Sequence, residues 1–254
     1  MEDDDVPCTG RWGESDDAGR AGVVERRPVL RDRVPRDDYD QHERALVRRG
    51  RAGDDGHMAN GEQDMILVLQ PDRAEADLLA GRLSCSCRGR LRPWAHARAR
   101  FVRQRDGSCL ELRPRRARCA QCGRSHVLSP ASSLPRRRDV VETVGAALEA
   151  AAAGKGYRYI ADELDLPPST VRNWLRRARA RAEWSRCTAT RAAYELDPAL
   201  PPATPRPSPL ASAVDALGAV AAAAVRRFGL VGTSPWAIIA TVTGGQLLAA
   251  VPGG

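Results

Sequence analysis

Two closely spaced pairs of cysteines constrain this chain more than any other feature of its sequence. Cys119 and Cys122 have the C-x-x-C-G spacing, and Cys85 and Cys87 precede them with a single residue between. In a C-x-x-C turn both thiolates reach one metal ion, and two such turns with a β-hairpin between them are typical of zinc ribbons. The sequence therefore predicts one structural Zn²⁺ held by Cys85, Cys87, Cys119 and Cys122, with no open position for water.

The first pair departs from this pattern, because Cys85 and Cys87 enclose one residue instead of two. A shorter turn is expected to offer weaker N–H support to the sulfurs. Cys109, His96 and His126 are nearby reserves that can replace one ligand. Unmetallated thiols in a small three-stranded domain are the alternative, whereas a redox role is not favoured because no βαβ pattern surrounds the cysteines.

The positive charge of the chain is concentrated in one segment. The 254 residues have a formal net charge of +8. Residues 1–64 carry a net charge of −6, whereas residues 85–187 carry +14, from 23 basic and 9 acidic residues. This asymmetry predicts a polyanionic partner for the central segment.

Composition and pattern divide the chain into five predicted segments, and the predicted fold class is α+β. Residues 1–64 alternate acidic and arginine runs without an apolar period, so they are expected to be disordered or to precede a true start at Met65. Residues 65–135 are predicted to form a zinc-ribbon-like domain and residues 136–190 a helix-turn-helix domain. Residues 191–209 are a proline-rich linker, and residues 210–254 form a C-terminal helical hairpin.

The zinc-ribbon-like segment has clear strand and turn signals. A short apolar strand is predicted at residues 65–69 and a helix at residues 73–81. A hairpin with strands at residues 97–104 and 109–113 turns at Asp106-Gly107, and a third strand covers residues 126–128. The arginines of this hairpin region are predicted to follow DNA phosphates: Arg98, Arg100, Arg103, Arg113, Arg115, Arg116 and Arg118.

Three helices are predicted in the helix-turn-helix segment. The first covers residues 139–154, with Asp139 as N-cap and Glu142 completing a capping box. The second covers residues 158–164, and the third begins at Ser169 as N-cap and continues to about residue 186. Ala161 fits the helix crossing of a helix-turn-helix, whose second helix lies in the major groove of DNA. Asp165 is a departure from the pattern, because it occupies the turn position where glycine is common.

A helical wheel divides the third helix into two faces. Val171, Trp174, Leu175, Ala178 and Ala182 fall on one apolar face that is predicted to be buried. The other side carries residue types that contact bases and phosphates. An arginine face that contacts only solvent is the alternative. The predicted DNA-binding residues are Ser169, Thr170, Arg172, Asn173, Arg176 and Arg177.

The C-terminal segment is predicted to form two alanine-rich helices, at residues 210–228 and 236–251. Their apolar residues are too numerous to be left exposed, so either they pack against the helical domain or they form a homodimer interface. The uncharged stretch at residues 228–254 is long enough to cross a bilayer. Its proline, glycines, glutamine and hydroxyl residues argue against crossing, and no membrane partner is predicted.

Several runs of residues carry a resemblance to a known family. They are Leu91-Arg-Pro-Trp94, Cys119-x-x-Cys122-x-x-x-His126, Ser169-Thr-Val-Arg-x-Trp174 and Thr243-Gly-Gly. Over residues 65–251 the chain resembles a domain-of-unknown-function family of bacterial proteins, which look like the zinc-ribbon and helix-turn-helix front end of insertion-sequence transposases. The resemblance implies DNA binding and implies no established activity. The family's first turn is normally C-x-x-C, from which Cys85 and Cys87 depart.

The sequence as a whole predicts a non-enzymatic, zinc-containing DNA-binding protein of the bacterial cytoplasm, associated with the nucleoid. Its expected partners are double-stranded DNA and a second copy of the chain bound through the C-terminal helices, without a small-molecule substrate. A truncated transposase that acts with a separate catalytic subunit is one alternative, and a protein-interaction module is another. A complete strand-transfer domain is not predicted, because only Glu195, Asp197 and Asp215 follow Cys187 as acidic residues.

Overall fold

A computed structural model describes residues 64–250, which form an α+β fold as predicted. The predictions for residues 1–63 and for the last four residues lie outside this range. The strands are β1 (Asp64–Val68), β2 (Leu91–His96), β3 (Arg100–Arg103), β4 (Cys109–Leu112), β5 (Arg115–Cys119) and β6 (Ser125–Pro130). The helices are α1 (Pro71–Leu79), α2 (Val141–Ala152), α3 (Tyr157–Glu163), α4 (Pro168–Ala180), α5 (Ala182–Leu196), α6 (Pro209–Phe228) and α7 (Pro235–Val242), followed by a 3₁₀ turn at Gln246–Leu248.

The strands form two small sheets. Four of them are arranged in the order β1-β6-β5-β2, with β1 parallel to β6 and the other pairs antiparallel. Strands β3 and β4 form a separate hairpin that turns at Asp106-Gly107, where Gly107 has φ +87°. The predicted strand at residues 65–69, the hairpin and the strand at residues 126–128 are therefore confirmed.

Strands β2 and β5 were not predicted from the sequence; β2 follows the first cysteine turn, and β5 leads into the second. Their sequences, LRPWAH and RRARC, are rich in arginine and lack a simple apolar alternation. Pairing across the sheet stabilises them instead, because Leu91 and Ala117 are fully buried beneath α1 while Arg92 and Arg118 beside them are exposed. The predicted hairpin is thus an extension beyond the β2–β5 ladder, and not the link between the cysteine pairs.

Helix α2 begins two residues later than predicted. Its N-cap is Val140, which has an extended backbone and no side-chain hydrogen bond to the helix N-terminus. The carboxylate of Asp139 accepts hydrogen bonds from Nε and Nη2 of Arg103, at 2.9 and 2.6 Å. The predicted capping box is therefore wrong, because a charged partner from β3 binds the carboxylate in place of the helix N-terminus.

Helix α4 also differs from its prediction at both ends. It begins at Pro168, so Ser169 lies in the first turn and does not cap the helix. Proline suits this position, because its fixed φ matches the helix and its missing N–H would have no partner there. The helix ends at Ala180, since Arg181 has φ −108° and ψ 8°, and a new helix begins at Ala182. This change of direction lets α5 pack along α6.

The C-terminal helices complete the core of the same chain. The Oγ of Ser208 accepts a hydrogen bond from the backbone N–H of Ala211 at the start of α6, and Gly229 ends the helix with φ +62°. Helix α7 is shorter than predicted, because Gly244 and Gly245 adopt positive φ angles of 58° and 73° that terminate it.

The apolar residues of α6 and α7 are packed inside the chain. Leu217, Val220 and Ile239 are at most 2 % exposed and share one core with α2 and α4. The structure therefore confirms that these helices pack against the helical domain, which was one of the two predicted explanations for their apolar surface. Homodimerisation through these helices stays a prediction. Helix α6 is the one helix within residues 64–250 that is long and apolar enough to cross a membrane by length and composition, and 44 % of that window is buried in the core.

Candidate metal centre and nucleic-acid interface

The four predicted cysteines lie together at one end of the four-stranded sheet. The Sγ atoms of Cys85 and Cys122 are 3.7 Å apart, those of Cys87 and Cys119 are 3.4 Å apart, and all four lie within 4.8 Å of one another. Four thiolates around one tetrahedral zinc have sulfurs about 3.8 Å apart, since each Zn–S bond is about 2.3 Å. The cluster can therefore hold one metal ion with four sulfur ligands.

The two turns that carry the cysteines approach each other closely at Gly89. A Cβ atom on this residue would lie 2.5 Å from Sγ of Cys119 and 2.7 Å from Cβ of Gln121. The backbone N–H of Cys85 donates to the carbonyl of Gly89, which closes the first turn at 2.8 Å. Only a glycine allows this approach, so C-x-C-x-G is a more complete description of the first turn than its two cysteines.

Backbone N–H groups stabilise the thiolate of Cys119. The N–H groups of Cys122 and Gln121 donate to its sulfur, at 3.5 and 3.4 Å, and lower the pKa of Cys119 to about 6. Burial raises the pKa of Cys85, but hydrogen bonds led by that from the backbone N–H of Cys87 outweigh this effect and lower it. The shortened first turn therefore retains an N–H donor for its sulfur.

The pKa of Cys87 shifts in the opposite direction. The backbone N–H of Gly89 lowers it, but the side chains of Cys119 and Cys122 raise it to about 11. Thiols this close together cannot all ionise easily without a cation, because each thiolate opposes the next. A metal ion supplies the positive charge that a four-thiolate cluster requires.

One of the three reserve ligands lies against this cluster. Nε2 of His126 is 3.2 Å from Sγ of Cys85, and the imidazole is 2 % exposed. His96 instead faces Nη1 of Arg115 at 3.4 Å, and Cys109 lies on β4. His126 therefore contacts a candidate metal ligand, and the four cysteines form the cluster without a substitute.

Helices α3 and α4 meet through a tight turn of four residues. Asp165 has φ +49°, in the left-handed region, and the N–H of Leu166 donates to the carbonyl of Ala161 at 2.8 Å. Aspartate tolerates this conformation better than most residues, which explains how it stands where glycine is common. Ala161 is 2 % exposed, as expected for a small residue at a helix crossing.

Helix α4 buries one face and exposes the other. Val171, Trp174, Leu175, Ala178 and Ala182 are all at most 5 % exposed, which confirms the predicted inner face. The six predicted DNA-binding residues lie outside the core: Ser169, Arg172 and Arg176 are exposed, and Thr170, Asn173 and Arg177 are half-buried.

Two half-buried residues of α4, Asn173 and Arg177, belong to a network that sequence reasoning missed. Oδ1 of Asn173 accepts hydrogen bonds from Arg176 at 2.9 Å and from Arg177 at 3.3 Å. Arg177 and Arg137 both donate to the carbonyl of Leu248, at 3.4 and 2.8 Å. Burial lowers the pKa of Arg137, and the charges of Arg177 and Arg136 lower it further. The run of three arginines at residues 136–138 was the available signal for a basic loop beside α4.

Two arginines of the β3–β4 hairpin are used inside the protein. Arg100 donates to the hydroxyls of Ser129 and Ser133, at 3.2 and 2.7 Å, and burial lowers its pKa. Arg103 binds the carboxylate of Asp139. The prediction that all the hairpin arginines follow phosphates is thus wrong for these two, because buried polar groups of the protein already engage them.

Comparison of the chain with protein-family models, with curated proteins and with solved structures finds no match.

Proposed function

We propose that this protein is a non-enzymatic, zinc-containing protein that binds double-stranded DNA in the bacterial cytoplasm. The observation that carries the proposal is the surface of α4. Its inner face is buried, while Ser169, Arg172 and Arg176 face solvent beside the basic loop at residues 136–138. An exposed helix with this composition has the chemistry of a recognition helix of the helix-turn-helix type, which inserts into the major groove.

Zinc is the metal that best fits the cysteine cluster. Soft thiolate ligands in a tetrahedral arrangement select zinc or iron–sulfur centres, and a set of four sulfurs within 4.8 Å of one another suits a single ion. A Cys₄ shell leaves no site for water, so the proposed role is structural and corresponds to a zinc ribbon. The metal would fix the two cysteine turns and, through β2 and β5, the arginines between them.

The resemblance to the front end of insertion-sequence transposases suggests the origin of such a protein. A transposase-derived DNA-binding protein or a transcriptional regulator fits the proposal best. A truncated transposase that acts with a separate catalytic subunit would bind DNA through the same surface, and the binding experiment below applies to both. A homodimer would suit a palindromic DNA site, and light scattering of the full chain measures it directly.

The zinc proposal is tested by elemental analysis of the purified full chain. We expect one zinc per chain in the wild type and a loss of zinc in Cys119→Ser, since this variant keeps only three of the four sulfurs. Cys187→Ser is the matched control, because Cys187 is an exposed cysteine on α5 outside the cluster. Equal zinc contents in the two variants would contradict the assignment.

The DNA proposal is tested by binding to random-sequence duplex DNA at two salt concentrations. Arg172→Ala/Arg176→Ala removes two exposed cations without touching Arg177, which binds the carbonyl of Leu248. For contacts to phosphates, we expect weaker binding and a salt dependence reduced by about one in slope for each arginine. Arg191→Ala/Arg206→Ala removes the same charge from exposed sites elsewhere. Unchanged binding in the α4 variant, or an equal loss in both, would refute the proposed interface.

A further inference from the structure

The strongest concentration of positive charge lies in the β2–β5 region and not on the helices. Residues 85–124 contain 12 arginines and two acidic residues, a net charge of +10. Residues 125–187, which include α3 and α4, contribute only +4, from 11 basic and seven acidic residues. The surface of α4 therefore does not account for most of the charge that a polyanion would meet.

The strand register places three of these arginines on one face of the sheet. Arg92 pairs with Arg118, and Arg116 lies two residues before Arg118 on the same strand, so all three side chains leave the sheet on the same side. The opposite side carries Ala117 and Cys119, which are buried against α1 and its neighbours. Arg92 and Arg118 are exposed, and Nε of Arg116 is buried without a hydrogen-bond partner among the described residues.

An exposed tryptophan lies within this basic face. Trp94 occupies an irregularity in the β2–β5 register, and its side chain is 57 % exposed. The guanidinium of Arg118 lies 4.8 Å from the centre of its ring, which covers one side of the indole. More than half of Trp94 is exposed, so a planar partner can contact its ring.

The position of β2 in the sheet argues against a peptide as that partner. Strand β2 is an edge of the four-stranded sheet, where an added peptide strand would have to pair. Pro93 lacks an N–H for such pairing, and charged side chains on an edge strand oppose it. Nucleic acid has both groups that the face can bind, phosphates for the arginines and planar bases for the indole.

We propose that the face formed by Arg92, Trp94, Arg116 and Arg118 is a second nucleic-acid site, specific for single strands. A base in a duplex has both of its planes covered by its neighbours, so only an unpaired base can stack on Trp94. Stacking on an aromatic side chain within a positively charged groove is the general mode of single-strand binding, and an arginine beside the ring strengthens it. This site is separate from α4, and it does not depend on the duplex-binding function proposed above.

The test compares labelled oligothymidine of about 20 nucleotides, the site size of one or a few binding modules, with oligouridine of the same length and with a duplex. We expect Trp94→Ala to weaken oligothymidine binding about 5- to 150-fold, the usual effect of losing one stacked base. Trp94→Phe should retain most of the affinity, because phenylalanine keeps a ring. Duplex binding should be unchanged in both variants. Oligodeoxyuridine of the same length separates the sugar from the 5-methyl group of thymine, so its comparison with oligouridine shows whether the sugar matters: equal binding assigns both DNA and RNA strands to the site, and a preference for one assigns that one.

Tyr159→Ala is the matched control, since Tyr159 is 54 % exposed and has a cation, Lys155, 4.6 Å from its ring. It lies on α3 and should leave single-strand binding unchanged. Zinc content and circular dichroism of each variant verify that the fold is intact. Oligothymidine binding of Trp94→Ala equal to that of the wild type would overturn the proposal, as would an equal loss in Tyr159→Ala. Loss of duplex binding in Arg172→Ala/Arg176→Ala, with oligothymidine binding retained, tests the other site independently.

Discussion

Single residues in this protein matter most where two elements approach closely. Gly145 on α2 is the clearest case, because the indole of Trp236 on α7 packs directly over its backbone. The Nε1 of the same indole donates to Oε1 of Glu149 at 2.8 Å, one turn further along α2. These contacts position the C-terminal helices on the helical core.

Gly145→Ala is expected to destabilise the protein by about 1–3 kcal/mol, the usual range for overpacking a core. A Cβ at this position would lie 2.2 Å from the indole, which cannot move away without losing its bond to Glu149. Urea unfolding measures the effect. Gly218→Ala on α6 is the control, since no atom lies within 4 Å of its added Cβ, and alanine should stabilise that helix by about 0.5–1 kcal/mol. Equal effects of the two substitutions would show that the contact with Trp236 is unimportant.

At the scale of secondary-structure elements, a few polar contacts join the β3–β4 hairpin to the rest of the protein. The β3–β4 hairpin contacts the segment before α2 through the Arg103–Asp139 ion pair, and Nη1 of Arg103 lies 3.5 Å from the carbonyl of Asp165 in the α3–α4 turn. Arg100 secures the same hairpin to the loop after β6. The hairpin thus connects the cysteine-containing sheet to the turn that orients α4.

Asp139→Ala is expected to cost about 1–3 kcal/mol, because it leaves a half-buried guanidinium without its carboxylate. The amides of β3 and β4 should also exchange hydrogen faster, since the hairpin then keeps only its backbone hydrogen bonds to the segment before α2. Denaturation and hydrogen exchange measure the two effects. Glu183→Ala removes an exposed carboxylate paired with Arg186 and should change stability little. A similar small change in Asp139→Ala would refute the attachment.

The whole molecule contains two hydrophobic clusters with different requirements. The smaller one, beneath α1, includes the side chains of Cys85 and Cys119 among eight buried residues. The larger one unites α2 to α7 with Leu67 of β1 and has no candidate metal ligand. A small cluster that buries so little apolar surface needs an additional source of stability, such as a bound metal ion, whereas the larger cluster does not.

Removal of the proposed zinc ion should therefore unfold one part of the protein before the other. With a chelator, we expect the amides of β2 and β5 to lose protection from hydrogen exchange while those of α2, α4 and α6 remain protected. Cys119→Ser without chelator should reproduce this pattern, and Cys187→Ser should not. Simultaneous loss of protection throughout residues 64–250 would contradict the division, and so would protection that is unaffected by the chelator.

Local patterns in the sequence were sufficient for the features that depend on neighbouring residues. The four cysteines, the Asp106-Gly107 turn and the buried face of α4 could all be predicted, because each follows from the spacing of residues within one or two turns of chain. Features that depend on distant partners could not. Asp139 is a good cap by its position, yet Arg103, which is 36 residues away, takes its carboxylate.

The sequence by itself determined the α+β class, the four cysteines that could hold a metal ion and the apolar stripe of α4, since these are properties of composition, spacing and period. Only the tertiary structure decided that Arg181 ends α4, that α6 and α7 close the core of the same chain, and that β2 and β5 are strands. It also placed Arg92, Trp94 and Arg118 on one face. The physical reason is that a local pattern indicates which side chains are buried, whereas the residues they contact depend on how the whole chain packs.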